Sequence, residues 1–257
     1  MLFLLSPAKS LDYETPARVT AQGVPAFVGR SAELIGLLRQ RTPDDIGRLM
    51  SISPTLAELN AARYRAWRPR FTAENSKPAL LAFNGDVYGG FDATTLSEDD
   101  LAWAHQHVGI LSGLYGVLRP LDAMQPYRLE MGTALANPHG RNLYDYWGDT
   151  LALHLNAWLA TDASPVVVNL ASQEYWRAAN RKVLKACVID CVFEDWKAGV
   201  YKVIGFHAKR ARGLMARHAV QRRVVTPQGL LGFASEGYAH APEASTPERL
   251  VFRRRLD

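Results

Sequence analysis

Short apolar runs separated by amphipathic stretches restrict this chain more than any other feature. Runs with strand character occupy residues 2–5, 79–83, 108–111, 165–170, 186–193, 200–206 and 249–252. Helical periodicity covers residues 31–40, 43–50, 54–67, 97–107, 142–160 and 208–223. The start signals agree. Thr42 and Ser53 each precede a proline, and Ser97 precedes Glu98, Asp99 and Asp100, acids suited to the positive end of a helix. Lys197-Ala198-Gly199 reads as a tight turn between two runs, which makes part of the sheet antiparallel. The expectation is one α/β domain over residues 1–257, a mixed β-sheet flanked by helices, with a small helical lobe at about 31–67. A chain of 257 residues buries enough surface to fold without a disulfide or a metal.

Targeting and redox signals are sparse. The run Met1–Leu5 lacks a basic flank and is too short for a signal peptide. No run approaches the ~20 residues of a membrane span, so a cytoplasmic protein with no membrane partner is expected. Cys187 and Cys191 lie four apart on one strand-like run, roughly 13 Å at ~3.3 Å per residue. That is too far for a disulfide, so both read as buried free thiols. No His, Cys or carboxylate spacing suits a metal, and no P-loop or dinucleotide fingerprint is present. Neither a metal nor a cofactor is expected.

The net charge of +5 conceals an uneven distribution. Residues 177–223 hold twelve Lys or Arg against Asp190, Glu194 and Asp195, a local +9, and residues 30–70 sum to +4. On the helix at 208–223, Lys209, Arg210, Arg212, Arg217 and Arg223 spread over one side, with Gly213 and Ala216 among them. Gly costs ~1 kcal/mol in a helix relative to Ala, so Gly213 has a reason to be there. One reason is close approach of a polyanion backbone; the alternative for the whole face is a solvated surface. In the helical lobe, Ser51-Ile52-Ser53 joins two short helices. Such a helix–hairpin–helix can offer backbone N–H groups to a phosphate, or be a plain helical pair.

Polar motifs follow the strand-like runs, where open α/β sheets collect ligands. Lys9, Arg119 and Arg128 are candidate phosphate ligands. Asp86, Glu130, Glu174 and Glu236 are candidates for acid–base work, and structural ion pairing is the alternative for each.

These motifs carry a resemblance. Leu5-Ser6-Pro7-Ala8-Lys9, Gly85-Asp86-Val87-Tyr88, Gln125-Pro126-Tyr127-Arg128-Leu129-Glu130-Met131-Gly132, Asn169-Leu170-Ala171-Ser172 and Ser235-Glu236-Gly237-Tyr238 are among its parts. So are the long segment from Leu111 to Asp122 and Ala211-Arg212-Gly213-Leu214-Met215. Together they make the chain resemble, end to end, the YaaA family of bacterial peroxide-stress resistance proteins. The resemblance implies a monomer with a family-specific α/β fold, a helix–hairpin–helix at Ser51–Ser53 and a basic cleft. It implies binding of double-stranded DNA with little sequence preference, and survival of hydrogen peroxide by limiting free iron and DNA damage. The family often has Lys at the position of Asn84. A second reading is an enzyme acting on a nucleotide, nucleoside or other phosphorylated metabolite in the same cleft. Direct iron storage is disfavoured, because no Cys/His cluster is present.

Overall fold

The computed structural model describes residues 1–255. The first strand, β1 (Leu2–Leu5), is buried along its whole length. That suits an apolar run paired on both edges in a parallel sheet. A two-residue strand β2 (Ser10–Leu11) and a long loop then lead to α1 (Val28–Arg39), α2 (Pro43–Met50) and α3 (Pro54–Ala66). Thr42 and Asp45 cap the start of α2 reciprocally, and the Ser53 side chain accepts the Leu56 N–H at the start of α3. Between them Ser51 takes the left-handed conformation, φ 52°, in place of the glycine such a hairpin usually uses.

Next come β3 (Lys77–Pro78), α4 (Ala79–Ala82), β4 (Phe83–Asn84) and α5 (Asp86–Phe91). The run at 79–83, expected as a strand, is mostly the single helical turn α4. A short apolar run does not by itself distinguish the two states. The chain continues through α6 (Glu98–His107), β5 (Val108–Ser112), β6 (Gly116–Leu118) and β7 (Ala123–Met124). The helix expected over 142–160 is two, α7 (Leu143–Trp147) and α8 (Thr150–Trp158), parted at Gly148, where φ is 47°.

The last third contains β8 (Val166–Leu170), α9 (Gln173–Ala179), β9 (Cys187–Lys197), β10 (Val200–Lys202), α10 (Gly205–Arg222), β11 (Ala239–His240) and β12 (Arg249–Arg254). Ala198 and Gly199 both have positive φ, as the tight hairpin between β9 and β10 requires. The strand expected over 200–206 stops at Lys202, and Gly205 and Phe206 open α10 instead. Cys191 is buried, whereas Cys187, expected to be buried, is exposed at the first position of β9.

The main sheet is eight-stranded and mixed. Its order is β11-β12-β9-β8-β1-β5-β6, with β10 on β9. Strands β5, β1, β8, β9 and β12 run parallel; β6, β10 and β11 are antiparallel. From β1 the chain reaches β5 on one side, while β8 leads on to β9 on the other. The crevice beyond the carboxyl ends of β1 and β8 is therefore the topological switch point, the place where open α/β sheets hold ligands.

Helix α10 closes one side of that crevice. It packs on β1, β8 and β9, and on its other side it crosses α5. The crossing is backbone against backbone. A Cβ at Gly213 would overlap the Val87 carbonyl oxygen and lie 2.7 Å from the Phe91 nitrogen. A Cβ at Gly90 would overlap the Arg210 carbonyl in the same way. Gly213 and Ala216 are accordingly buried. The expectation that Gly213 lets a polyanion approach is corrected: its missing side chain makes room for α5.

Candidate functional site

Beyond the ends of β1 and β8 lies a cleft of about 440 Å³. Its floor is stitched across the switch point. Ser172 N–H donates to Ser6 Oγ at 2.8 Å, the two Oγ atoms are 3.3 Å apart, and Tyr88 OH donates to the Ser6 carbonyl at 3.0 Å. The walls come from distant segments: the loop after β1, the β4–α5 turn, residues 127–130, the start of α9, and α10.

On one wall Glu130 sits between two cations. Arg128 donates to Glu130 Oε1 from Nε at 3.1 Å and from Nη2 at 3.0 Å, and Lys9 Nζ is 3.5 Å from the same oxygen. Tyr64 of α3 donates to the Arg128 carbonyl, so the helical lobe holds this segment in place. Glu174 accepts the Gly132 N–H at 2.9 Å. Burial pushes the phenols of Tyr64, Tyr127 and Tyr175 well above their usual range, so they are neutral hydroxyls. Tyr127 OH pairs with Ser112 Oγ at 2.6 Å.

The facing wall differs. Lys209 and Arg212 project from α10 and Asp86 from the start of α5. Among the described residues, Lys209, Arg212 and Asp86 make no hydrogen bond or ion pair with the rest of the protein. Arg212 is half-buried, and loss of solvent pulls its guanidinium below the usual value. A half-buried cation without a counter-ion calls for an anion. Taken together the lining carries Lys9, Arg128, Lys209 and Arg212 against Asp86, Glu130 and Glu174. The cleft is thus of mixed charge rather than uniformly basic.

The other expected site residues lie elsewhere. Strand β6 runs antiparallel to β5 and delivers Arg119 to the amino-terminal edge of the sheet, opposite the cleft. There its guanidinium stacks 4.5 Å over Trp158. Arg210 is held by Glu236 through contacts of 2.6–3.1 Å, and Arg254 also faces Glu236 at 3.7 Å. These pairs hold the Glu236 carboxyl below its usual value, with the Arg210 hydrogen bond the main cause. Arg217 caps the end of α5 by donating to the carbonyls of Phe91 and Asp92 at 3.0 and 2.7 Å. Ser51, Ile52 and Ser53 form a surface hairpin outside the cleft lining. Ser6, Ser172 and Tyr175 also line the cleft; they fall within the polar motifs of the sequence but carry no charge that marks them there as site residues. Their signal was position: each follows a strand that ends at the switch point.

Fold and site together define an α/β protein with a ligand-sized, mixed-charge cleft at a sheet switch point. The chain belongs to the peroxide stress protein YaaA family, whose model matches residues 1–244. A UPF0246 protein of Paracidovorax citrulli is 63% identical over 256 residues, covering 99% of each chain. One from Polaromonas sp. is 62% identical over 255 residues, also covering 99% of each. A third, from Bordetella petrii, is 60% identical over 255 residues, covering 99% of this chain and 100% of its own. No helix among the described residues is long and apolar enough to cross a membrane.

Proposed function

We propose that this peroxide-stress protein binds DNA, with the phosphodiester backbone running across the mouth of the cleft onto Lys209 and Arg212. The observation that carries the reading is that pair: two cations on one helix, lining a concave site, with no counter-ion among the described residues. Lys9 and Arg128 stand on the facing wall but are partly neutralised by Glu130. Contacts of this kind are made to phosphates and carry no base preference. The α2–α3 hairpin, with Ser51 and Ser53 exposed, offers a second backbone contact outside the cleft.

Anisotropy titration of a labelled duplex at ~50 mM salt tests this. Lys209→Ala with Arg212→Ala is expected to weaken binding at least tenfold and flatten the salt slope by about 2. Undiminished binding by that double variant refutes the site, and absence of binding by the native protein refutes the reading.

A second reading, an enzyme acting on a nucleotide or phosphorylated metabolite, is favoured by one observation. The cleft has the volume of a small-molecule site and pairs its cations with Glu130 and Glu174. Nucleoside monophosphates that raise the melting temperature of the native protein, but not of Glu130→Gln, would support it.

A further inference from the structure

Helix α10 carries one more exposed side chain in the turn before the cleft-lining Lys209. Among the described residues, Phe206 is the most exposed large apolar side chain, at 62%, and the one aromatic in that set. It lies one turn before Lys209, which in turn lies one turn before Arg212. Residues three apart on a helix are surface neighbours, so ring, ammonium and guanidinium form a short track leading into the cleft. The opposite neighbour, Arg210, is committed to Glu236 and leaves that track free of its charge. The ring is also steadied: His207 packs against it with ring centroids 4.0 Å apart. Lys202, exposed at the end of β10, and Val203, 53% exposed, flank the base of the helix.

We propose that Phe206 is a stacking platform for an unpaired DNA base whose neighbouring phosphates rest on Lys209 and Arg212. The inference rests on the DNA-binding reading above and names what part of DNA the site takes. Two features point to a nucleobase rather than to an apolar protein partner. Phe206 is the one aromatic among the exposed large apolar side chains of the described residues and lies one helical turn from Lys209, so it suits a ligand that alternates flat apolar faces with negative charges. That alternation is the composition of a single strand, and an aromatic face beside a basic track is how such strands are held. A ring already supported on one side loses little freedom when a base covers the other.

The test uses the full-length protein and two fluorescent strands of equal length and charge, one of thymidines and one abasic throughout. The native protein is expected to bind the thymidine strand about 5- to 150-fold more tightly than the abasic strand, the range for one stacked base. Phe206→Ala and Phe206→Leu are expected to abolish that preference while leaving abasic binding, its salt dependence and the melting temperature unchanged. Phe206→Trp is expected to keep the preference. Equal binding of the two strands by the native protein, or a preference that survives in Phe206→Ala, overturns the stacking inference alone. Failure of the native protein to bind either strand, while it binds a duplex of the same length, also overturns the stacking inference alone; failure to bind the duplex as well overturns the DNA-binding reading.

Discussion

Individual side chains here are tuned by burial and by the partner they are given. Glu130 holds Arg128 and Lys9, and its side chain is only 17% exposed. Glu130→Gln removes that competitor and is expected to strengthen DNA binding by roughly 1 kcal/mol, about fivefold, read by anisotropy at fixed salt. A fall in affinity would mean that Glu130 itself faces the ligand. Asp122 shows the opposite case. It is 5% exposed, and burial raises its carboxyl to about 6 although it accepts the Arg119 N–H at 2.7 Å. A carboxyl whose pKa is raised in the fold favours the folded state while protonated, so its contribution declines as pH rises from about 4 through about 6. Asp122→Asn keeps an acceptor for Arg119 and removes the buried charge. It is expected to stabilise the protein by about 1–2 kcal/mol at pH 7.5 and by nothing measurable at pH 4, in urea unfolding curves.

Elements show how much of the architecture the sequence displayed. Helix α2 was legible from Thr42-Pro43-Asp44-Asp45, because a cap, a proline and two acids act locally and need no tertiary partner. The β9–β10 turn was legible for the same reason. Helix α5 and strand β6 were not, being too short to show a period, and the run at 79–83 misled because five apolar residues fit either state. Of the site residues, Lys9, Arg128, Glu130, Glu174, Asp86, Lys209 and Arg212 were legible as a class and do meet. Arg119, Arg210, Arg217 and Glu236 were misplaced because charge in a sequence does not reveal which partner consumes it. Gly213 makes the same point about shape. Its backbone contact with α5 predicts that Gly213→Ala costs about 3 kcal/mol or more, since neither helix can yield without moving the cleft wall. Gly36 in α1 has nothing within 4 Å of its Cβ position. Gly36→Ala is expected to stabilise by about 0.5–1 kcal/mol, and thermal melts of the two variants compare them directly.

At the scale of the whole molecule, the question is how many positive charges one ligand can meet. The +9 of residues 177–223 would give a slope of log K against log salt near −8 if it acted as one face, at about −0.9 per phosphate on a duplex. The fold does not deploy it that way. Arg177 lies over Tyr144, Arg181 donates to the Tyr144 carbonyl, and Arg210, Arg217 and Arg223 are tied to Glu236, to the end of α5 and to Asp100. What remains in the cleft is Lys209 and Arg212, joined by Lys9 and Arg128 to the extent that Glu130 releases them. Two to four phosphates set the slope between about −2 and −4. A duplex titration between about 50 and 200 mM salt measures it. A slope steeper than about −6 would show that cations outside the cleft, those of the α2–α3 lobe among them, carry most of the contact. Glu130→Gln is expected to move the slope toward the steeper end, because it frees two cations without adding one. Composition fixes the net charge, and pairing inside the fold decides how many of those cations one ligand in the cleft could meet.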